Sequence, residues 1–381
     1  MFSLGGQMSD IARAQLLITL VHGTWGRGFF PRRQRRSRHP LWFEDGSPFL
    51  SRLATKFGDI PHKITPLLWS GANSIFVRDK TAHVLAERLS AEHAEHPHAT
   101  QLVIAHSHAG NIALRALHHL RERDAAQLCE SANPFVVTLA TPFIEIHQAD
   151  YGSRPKGVRM AVFLAFAWLL MIYPPEAMER AFSDSPTANF ISSALWTLAL
   201  FLYLCWGLWW LRFRGTARQK QVDALKAATQ VGQLVSAQRL LVIRAIDDEA
   251  SLALALGAIL NYATARFITY VYFIFAFLFG AVTVFHVSSI SLKIAFSALV
   301  LALLSLFMVS RTAHGRELAA SPMECQINTH STPDADGLSR IVTLVRRTYV
   351  KSLRHGIYDH GDCAKTISDW VHSQLSVLPV R

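Results

Sequence analysis

Apolar residues gather along this chain in two ways: short β-branched runs set between amphipathic stretches, and long unbroken apolar segments. The short runs Leu16–Val21, Ile64–Trp69, Leu102–Ile104, Pro134–Ala140 and Leu240–Ile246 read as buried strands, and Val342–Leu353 has strand character. Between them, Ser47–Phe57 reads as a helix with a Ser-Pro start, and Lys80–Ala94 as an amphipathic helix. Apolar spacing of three and four through Ile112, Ala113, Ala116, Leu117 and Leu120 predicts another, and Gln221–Gln238 and Cys363–Leu375 two more. Strand alternating with helix predicts a mostly parallel sheet with helices on both faces. Four long apolar segments interrupt this order: Met160–Tyr173, Ile191–Leu211, Phe267–Phe285 and Ile294–Val309. They predict two transmembrane helical hairpins, the first with Trp206, Trp209 and Trp210 as an aromatic belt. Met160–Tyr173 is short for a span, so a re-entrant or interfacial helix stays open there.

Composition sharpens this division. Hydrophobic residues make up 51% of the 381 positions, and mean hydropathy is +0.22. That mixture suits a polar-surfaced domain carrying membrane segments. A net charge of +11 favours a partner of negative charge. With no zinc-finger spacing or RNA-binding aromatic signature, the charge points to a lipid surface and not to nucleic acid. The run Arg32, Arg33, Arg35, Arg36 and Arg38 reads either as a solvated loop or as a patch for anionic lipids. Arginines and lysines flank the outer ends of the apolar segments, and the turn with Glu176, Glu179 and Asp184 is net acidic. The positive-inside rule then turns the polar domain toward the cytoplasm, as in an integral protein of an inner or plasma membrane. Residues 1–15 hold no apolar stretch of signal-peptide length, and Cys129, Cys205, Cys325 and Cys363 form no metal, redox or disulfide pattern. Spans with almost no internal ionisable residue offer no transport path.

The chemistry concentrates at Leu102-Val-Ile-Ala-His-Ser-His-Ala-Gly110: a strand, small residues crowding Ser107, then a helix. A sharp strand-to-helix turn lifts the serine Oγ clear of the sheet, and only small neighbours leave room for it. The helix that follows aims its first amides at any anion forming there. In this the chain resembles an α/β-hydrolase, with Ala105 and Ala109 standing where that family usually has glycine around its serine.

The resemblance implies further roles. The strand ending in His22-Gly23-Thr24 corresponds to the family's oxyanion strand, so the amides of Thr24 and His108 are the expected oxyanion donors. A serine needs a base to take its proton, and the base needs an acid to orient it. The family order is serine, acid, histidine, the last two in loops after strands. The acid is then Asp248, with Asp247 as the alternative, although either could equally cap the helix that follows. The base is His355, after the last strand-like run and before Gly356, with His360 as its rival. His22, His106 and His108 read as packing or pocket-lining residues.

The expected organisation is an α/β-hydrolase core in three pieces with two insertions. Residues 1–150 carry the oxyanion loop and nucleophile elbow, 236–265 the acid loop, and 312–381 the histidine loop and last helix. Residues 151–235 hold the first hairpin with a linker helix, and 266–311 the second. The implied function is a membrane-anchored serine esterase or lipase acting on an acyl ester or thioester of a lipid, whose acyl chain enters from the bilayer, and needing no cofactor or metal. Acyl transfer to another acceptor, or a catalytically silent membrane-anchored scaffold, are the alternatives. Nothing in the sequence bears on the oligomeric state.

Overall fold

The computed structural model describes residues 16–26, 40–58, 60–124, 133–148, 219–230 and 237–245, helical positions 254, 256, 257 and 259, and residues 312, 314–320, 325–330, 332–333, 340–344 and 356–376. The four long apolar segments, Arg32–Arg38, Asp247, Asp248 and His355 lie outside these residues. Among the described residues no helix is long and apolar enough to cross a membrane.

Six strands form the main sheet: β1 (Leu16–Val21), β2 (His62–Leu67), β3 (Thr100–His106), β4 (Phe135–Leu139), β6 (Leu240–Ala245) and β8 (Arg340–Leu344). Their spatial order is β2-β1-β3-β4-β6-β8. Every neighbouring pair is parallel. The expected parallel α/β sheet is therefore present. β2 lies at one edge, which is where a strand tolerates Pro66, since no partner needs the missing amide on that side. β8 lies at the other edge and is largely exposed.

The interior strands are buried on both faces, which explains their unbroken apolar runs. Side-chain alternation still divides each run between two cores. Leu16, Ile18, Leu20, Ile104, Val137 and Ile243 point to one face, packed on α1 (Pro48–Lys56) and α5 (Gly361–Leu375) through Phe49, Leu53, Ile367 and Trp370. Val21, Val103, Val136 and Val242 point to the other, packed on α2 (Ile75–Glu95) and α3 (Ala109–Asp124) through Leu85, Leu89, Ile112 and Leu117. Helices thus cover both faces, as a strand–helix alternation requires.

The helix starts show what local sequence can and cannot encode. Ser47 accepts the Leu50 amide at 3.2 Å, so α1 begins where the Ser-Pro pair predicts. α2 begins five residues before the expected Lys80. Its cap is partly tertiary: Ser74 accepts from Val77, while the Glu317 carboxylate accepts both the Ser74 hydroxyl and the Ile75 amide, the latter at 3.0 Å. A carboxylate at a helix N-terminus is favourable, but this one comes from far along the chain. The same segment holds Arg78, whose guanidinium donates to the His314 carbonyl at 2.5 Å. Burial brings that guanidinium down to about 10, with Glu317 opposing the shift.

A two-stranded antiparallel ribbon, β5 (Phe143–Gln148) with β7 (Cys325–His330), was not expected from the sequence. It packs through Ile144, Ile146 and Ile327 against Ile75 and against Val222 and Leu225 of helical residues 219–229, here α4. Among the described residues of the expected Gln221–Gln238 stretch, 221–229 are helical and Ala237–Arg239 is a 3₁₀ turn. Cys363 is a free, buried thiol at the start of α5, and loss of hydration pushes its pKa up to about 12, so it stays protonated and unreactive.

Candidate active site

Ser107 stands at the junction of β3 and α3 with φ +57. A non-glycine residue in the left-handed region is strained, and here two hydrogen bonds hold it. Its amide donates to the Leu139 carbonyl at the end of β4 at 2.8 Å, and its carbonyl accepts from Gly110 at 3.0 Å. Ala105 and Ala109 on either side are fully buried, so a larger residue at either position has no free volume to occupy. Gly110 carries the same constraint, because a side chain there would collide with Thr141. This is the tight strand–serine–helix turn that the spacing of small residues around Ser107 predicts.

The loop after β1 lies directly against that serine. A Cβ built on Gly23 would sit 2.7 Å from the Ser107 Cβ and 2.8 Å from the His106 carbonyl oxygen. The next residues form a tight turn, in which Gly26 donates to the Gly23 carbonyl at 3.0 Å and Trp25, at φ +56, donates to the Gly71 carbonyl at 2.9 Å. Those bonds occupy the amides of Trp25 and Gly26; among the described residues the Thr24 amide has no backbone acceptor. The Thr24 hydroxyl is likewise buried without a hydrogen-bond partner among the described residues. His108, the residue after the serine, is buried at the start of the turn. Thr24 and His108 thus flank Ser107 from two separate loops at the same edge of the sheet.

The histidines around the elbow sit in aromatic surroundings. His22 is fully buried, stacked between Phe43 at 4.7 Å and Trp69 at 5.6 Å, and its carbonyl accepts the Trp69 indole N–H at 2.7 Å. His106 meets Trp42 at 5.8 Å and Tyr358 at 5.0 Å, both edge-on. Trp42 and Tyr358 stack on each other at 5.2 Å. Tyr358 is a site residue that sequence reasoning missed; only its position three residues past His355 hinted at it. Through it, the segment just after His355 packs against the residue just before Ser107.

The expected acid and base, Asp247 or Asp248 and His355, lie outside the described residues. Their supporting elements are described. β6 ends at Ala245, two residues before Asp247, and runs parallel to β3 through β4, so its end lies at the same sheet edge as Ser107. His360 is described, and its ring Nδ1 accepts the Asp362 amide at 3.2 Å as the N-cap of α5. Among the described residues one cluster has the composition of a metal site: Asp79, His83 and His119, between α2 and α3. His119 is ten residues into α3 beyond Ala109, about 15 Å along the helix from the elbow.

No protein-family model matches the sequence, and no curated protein matches it. Among solved structures the chain is similar to the RedJ thioesterase from the prodiginine biosynthetic pathway in Streptomyces coelicolor, at 12% identity over 65% of this chain and 79% of that one, with a TM-score of 0.25. It is also similar to MenH from S. aureus, at 8% identity over 95% and 94% of the two chains, with a TM-score of 0.28. What the chain itself shows is a parallel strand order, helices on both faces and a strained serine at the end of β3.

The Gly23 contact makes a test of the loop. Gly23→Ala should lower kcat/KM for ester hydrolysis by about 10²-fold, because Ser107 and the loop after β1 must separate. Overpacking should also lower stability by about 1–3 kcal/mol in a denaturant titration. Unchanged kinetics would show that this loop takes no part in positioning Ser107.

Proposed function

We propose that the protein is a membrane-anchored serine hydrolase that cleaves acyl esters or thioesters, with a long acyl chain as the favoured substrate. The observation that carries this reading is the serine held at φ +57 at a strand–helix junction with a glycine loop pressed against it. Few structural needs call for a strained, non-glycine turn at that position, and nucleophile presentation is one.

In this reading Ser107 Oγ attacks the acyl carbonyl while His355 takes its proton, held in the correct tautomer by Asp248 or, failing that, Asp247. The C–O or C–S bond to the leaving group lengthens as the tetrahedral oxyanion collapses, and His355 returns the proton to the departing alcohol or thiol. A water molecule then attacks the Ser107 ester by the same route, releasing the carboxylic acid and restoring the serine hydroxyl. The amides of Thr24 and His108 would stabilise both oxyanions; loss of one such donor typically costs 10²–10³ in rate.

The apolar character of the substrate is supported by the catalytic edge itself. Trp25, in the loop after β1, is 48% exposed, and Leu68, directly after β2, is 59% exposed. Both sit at the carboxyl ends of parallel strands, where ligands of α/β sheets gather. The four apolar segments of the sequence and the basic run Arg32–Arg38 fit a bilayer with anionic lipids beside that edge. The measurement is kcat/KM against a series of esters of rising chain length. Each buried methylene contributes ~0.8 kcal/mol, so the ratio should rise about fourfold per carbon until the acyl site is full. A preference for short, freely soluble esters would sink the lipid reading and leave a general esterase.

A further inference from the structure

The seam between α2 and α3 gathers groups that the hydrolase reading does not use. Asp79 and His83 are four residues apart on α2, hence on one face, and His119 meets them from α3. One donor atom from each lies within 4.8 Å of the other two. The His83 and His119 rings stack at 3.4 Å between centroids with 19° between planes. His119 Nε2 is 3.2 Å from Asp79 Oδ1. Its other nitrogen, Nδ1, is 3.7 Å from a Glu122 carboxylate oxygen one turn on.

We propose that Asp79, His83 and His119 bind a divalent transition-metal ion of the zinc type, which clamps α2 to α3. Two imidazoles and one carboxylate are a donor set suited to borderline divalent ions, with a further position left for water. A histidine whose second nitrogen faces a carboxylate is the arrangement that orients a ligating ring, and Glu122, whose other oxygen meets His118 Nε2 at 3.1 Å, lies on the Nδ1 side of His119. Arg115 Nε donates to Asp79 Oδ1 at 2.8 Å. The contacts of Asp79 with Arg115 and with His119 both fall on Oδ1, so Oδ2 is the oxygen offered to an ion. A guanidinium beside the site weakens cation binding through repulsion, while its hydrogen bond fixes the carboxylate. Donors around zinc at 2.0–2.2 Å lie about 3.3 Å apart, so the widest donor pairs must close by up to about 1.5 Å. His83 is on the exposed side of the seam and has the room to turn. His119 is buried and Asp79 half-buried, which sets them as the fixed part of the site.

The experiment is a zinc titration of the full-length, tag-free protein against a chromophoric chelator, with His83→Gln, Glu122→Gln and wild type side by side, each also melted with and without zinc. The proposal expects one tightly held zinc per chain in the wild type, and a melting temperature that rises with zinc. His83→Gln, at an exposed position with no fold to lose, should abolish the zinc-dependent rise and weaken binding by more than 100-fold. Glu122→Gln should weaken binding by about 10–100-fold. Absence of stoichiometric zinc in the wild type, or equal binding by wild type and His83→Gln, overturns the proposal; the second outcome would assign the metal to other histidines of the chain. None of these readouts depends on the hydrolase reading.

Discussion

Replacing Ser107 by alanine should abolish covalent labelling by a fluorophosphonate probe and lower ester hydrolysis by at least about 10⁴-fold, while the protein still folds. The size follows from how a triad works as a unit: remove the nucleophile and only substrate binding and the oxyanion donors remain. Stability should hardly move. The bonds that strain Ser107 are backbone bonds, from its amide to Leu139 and from Gly110 to its carbonyl, and alanine keeps both. The side chain that is lost is small and 8% exposed, so no large cavity opens. Labelling of wild type and variant side by side decides the matter. A folded wild type that stays unlabelled removes the enzyme reading, and the alternative, a hydrolase fold used as a silent scaffold, takes its place.

The second large effect separates two histidines. His355→Ala should lose labelling and about 10⁴-fold in kcat, because the serine proton then has no acceptor. His360→Ala should keep kcat/KM within a few-fold and lose about 1 kcal/mol of stability, as for a lost N-cap. The distinction rests on what each ring already does. His360 Nδ1 is engaged by the Asp362 amide at the start of α5. β8 runs parallel to β6 toward the sheet edge that carries Ser107, and Tyr358 beyond it rests on His106 at 5.0 Å. If His360→Ala were the silent variant for labelling and His355→Ala the active one, the base assignment would reverse, with the cap serving as a positioning device for a catalytic ring.

The parts of the fold that were legible are those where one short stretch carries its own instruction. Leu16–Val21 forms the expected strand residue for residue, and the Ser-Pro pair at 47–48 starts α1 as written. The elbow was legible because a turn that tight restricts its neighbours to small residues, and Ala105, Ala109 and Gly110 announce it. Where a partner lies far away, the sequence is mute. The first turn of α2 was missed because Glu317 completes its cap from outside the local segment. The β5–β7 ribbon was missed because Phe143–Gln148 and Cys325–His330 mean nothing as strands until they pair. β2 runs from His62 to Leu67 and not from Ile64 to Trp69, since its register is set by β1 and not by its own apolar content. The contact of Gly23 with Ser107 joins residues more than eighty positions apart, so only the order of the two motifs hinted at it. The acid and base assignments stand on that same order, with Asp247, Asp248 and His355 outside the described residues.

The Glu317 cap also ties two distant parts of the chain into one lever. The last apolar segment of the sequence ends at Val309, and by Thr312 the backbone is bonded to the core, its carbonyl accepting the Asn73 side-chain amide at 2.5 Å. Arg316 then donates to the Asn73 carbonyl at 3.1 Å, and Arg78 grips His314. Two residues before Asn73, Gly71 holds Trp25 and with it the turn that carries Thr24. Thr312 and Arg316 are therefore linked to the turn that carries Thr24 through fewer than ten described residues, by way of Asn73, Gly71 and Trp25. Substitutions at Asn73, distant from Ser107 in sequence and free of any chemical duty, are where that mechanical link is cut.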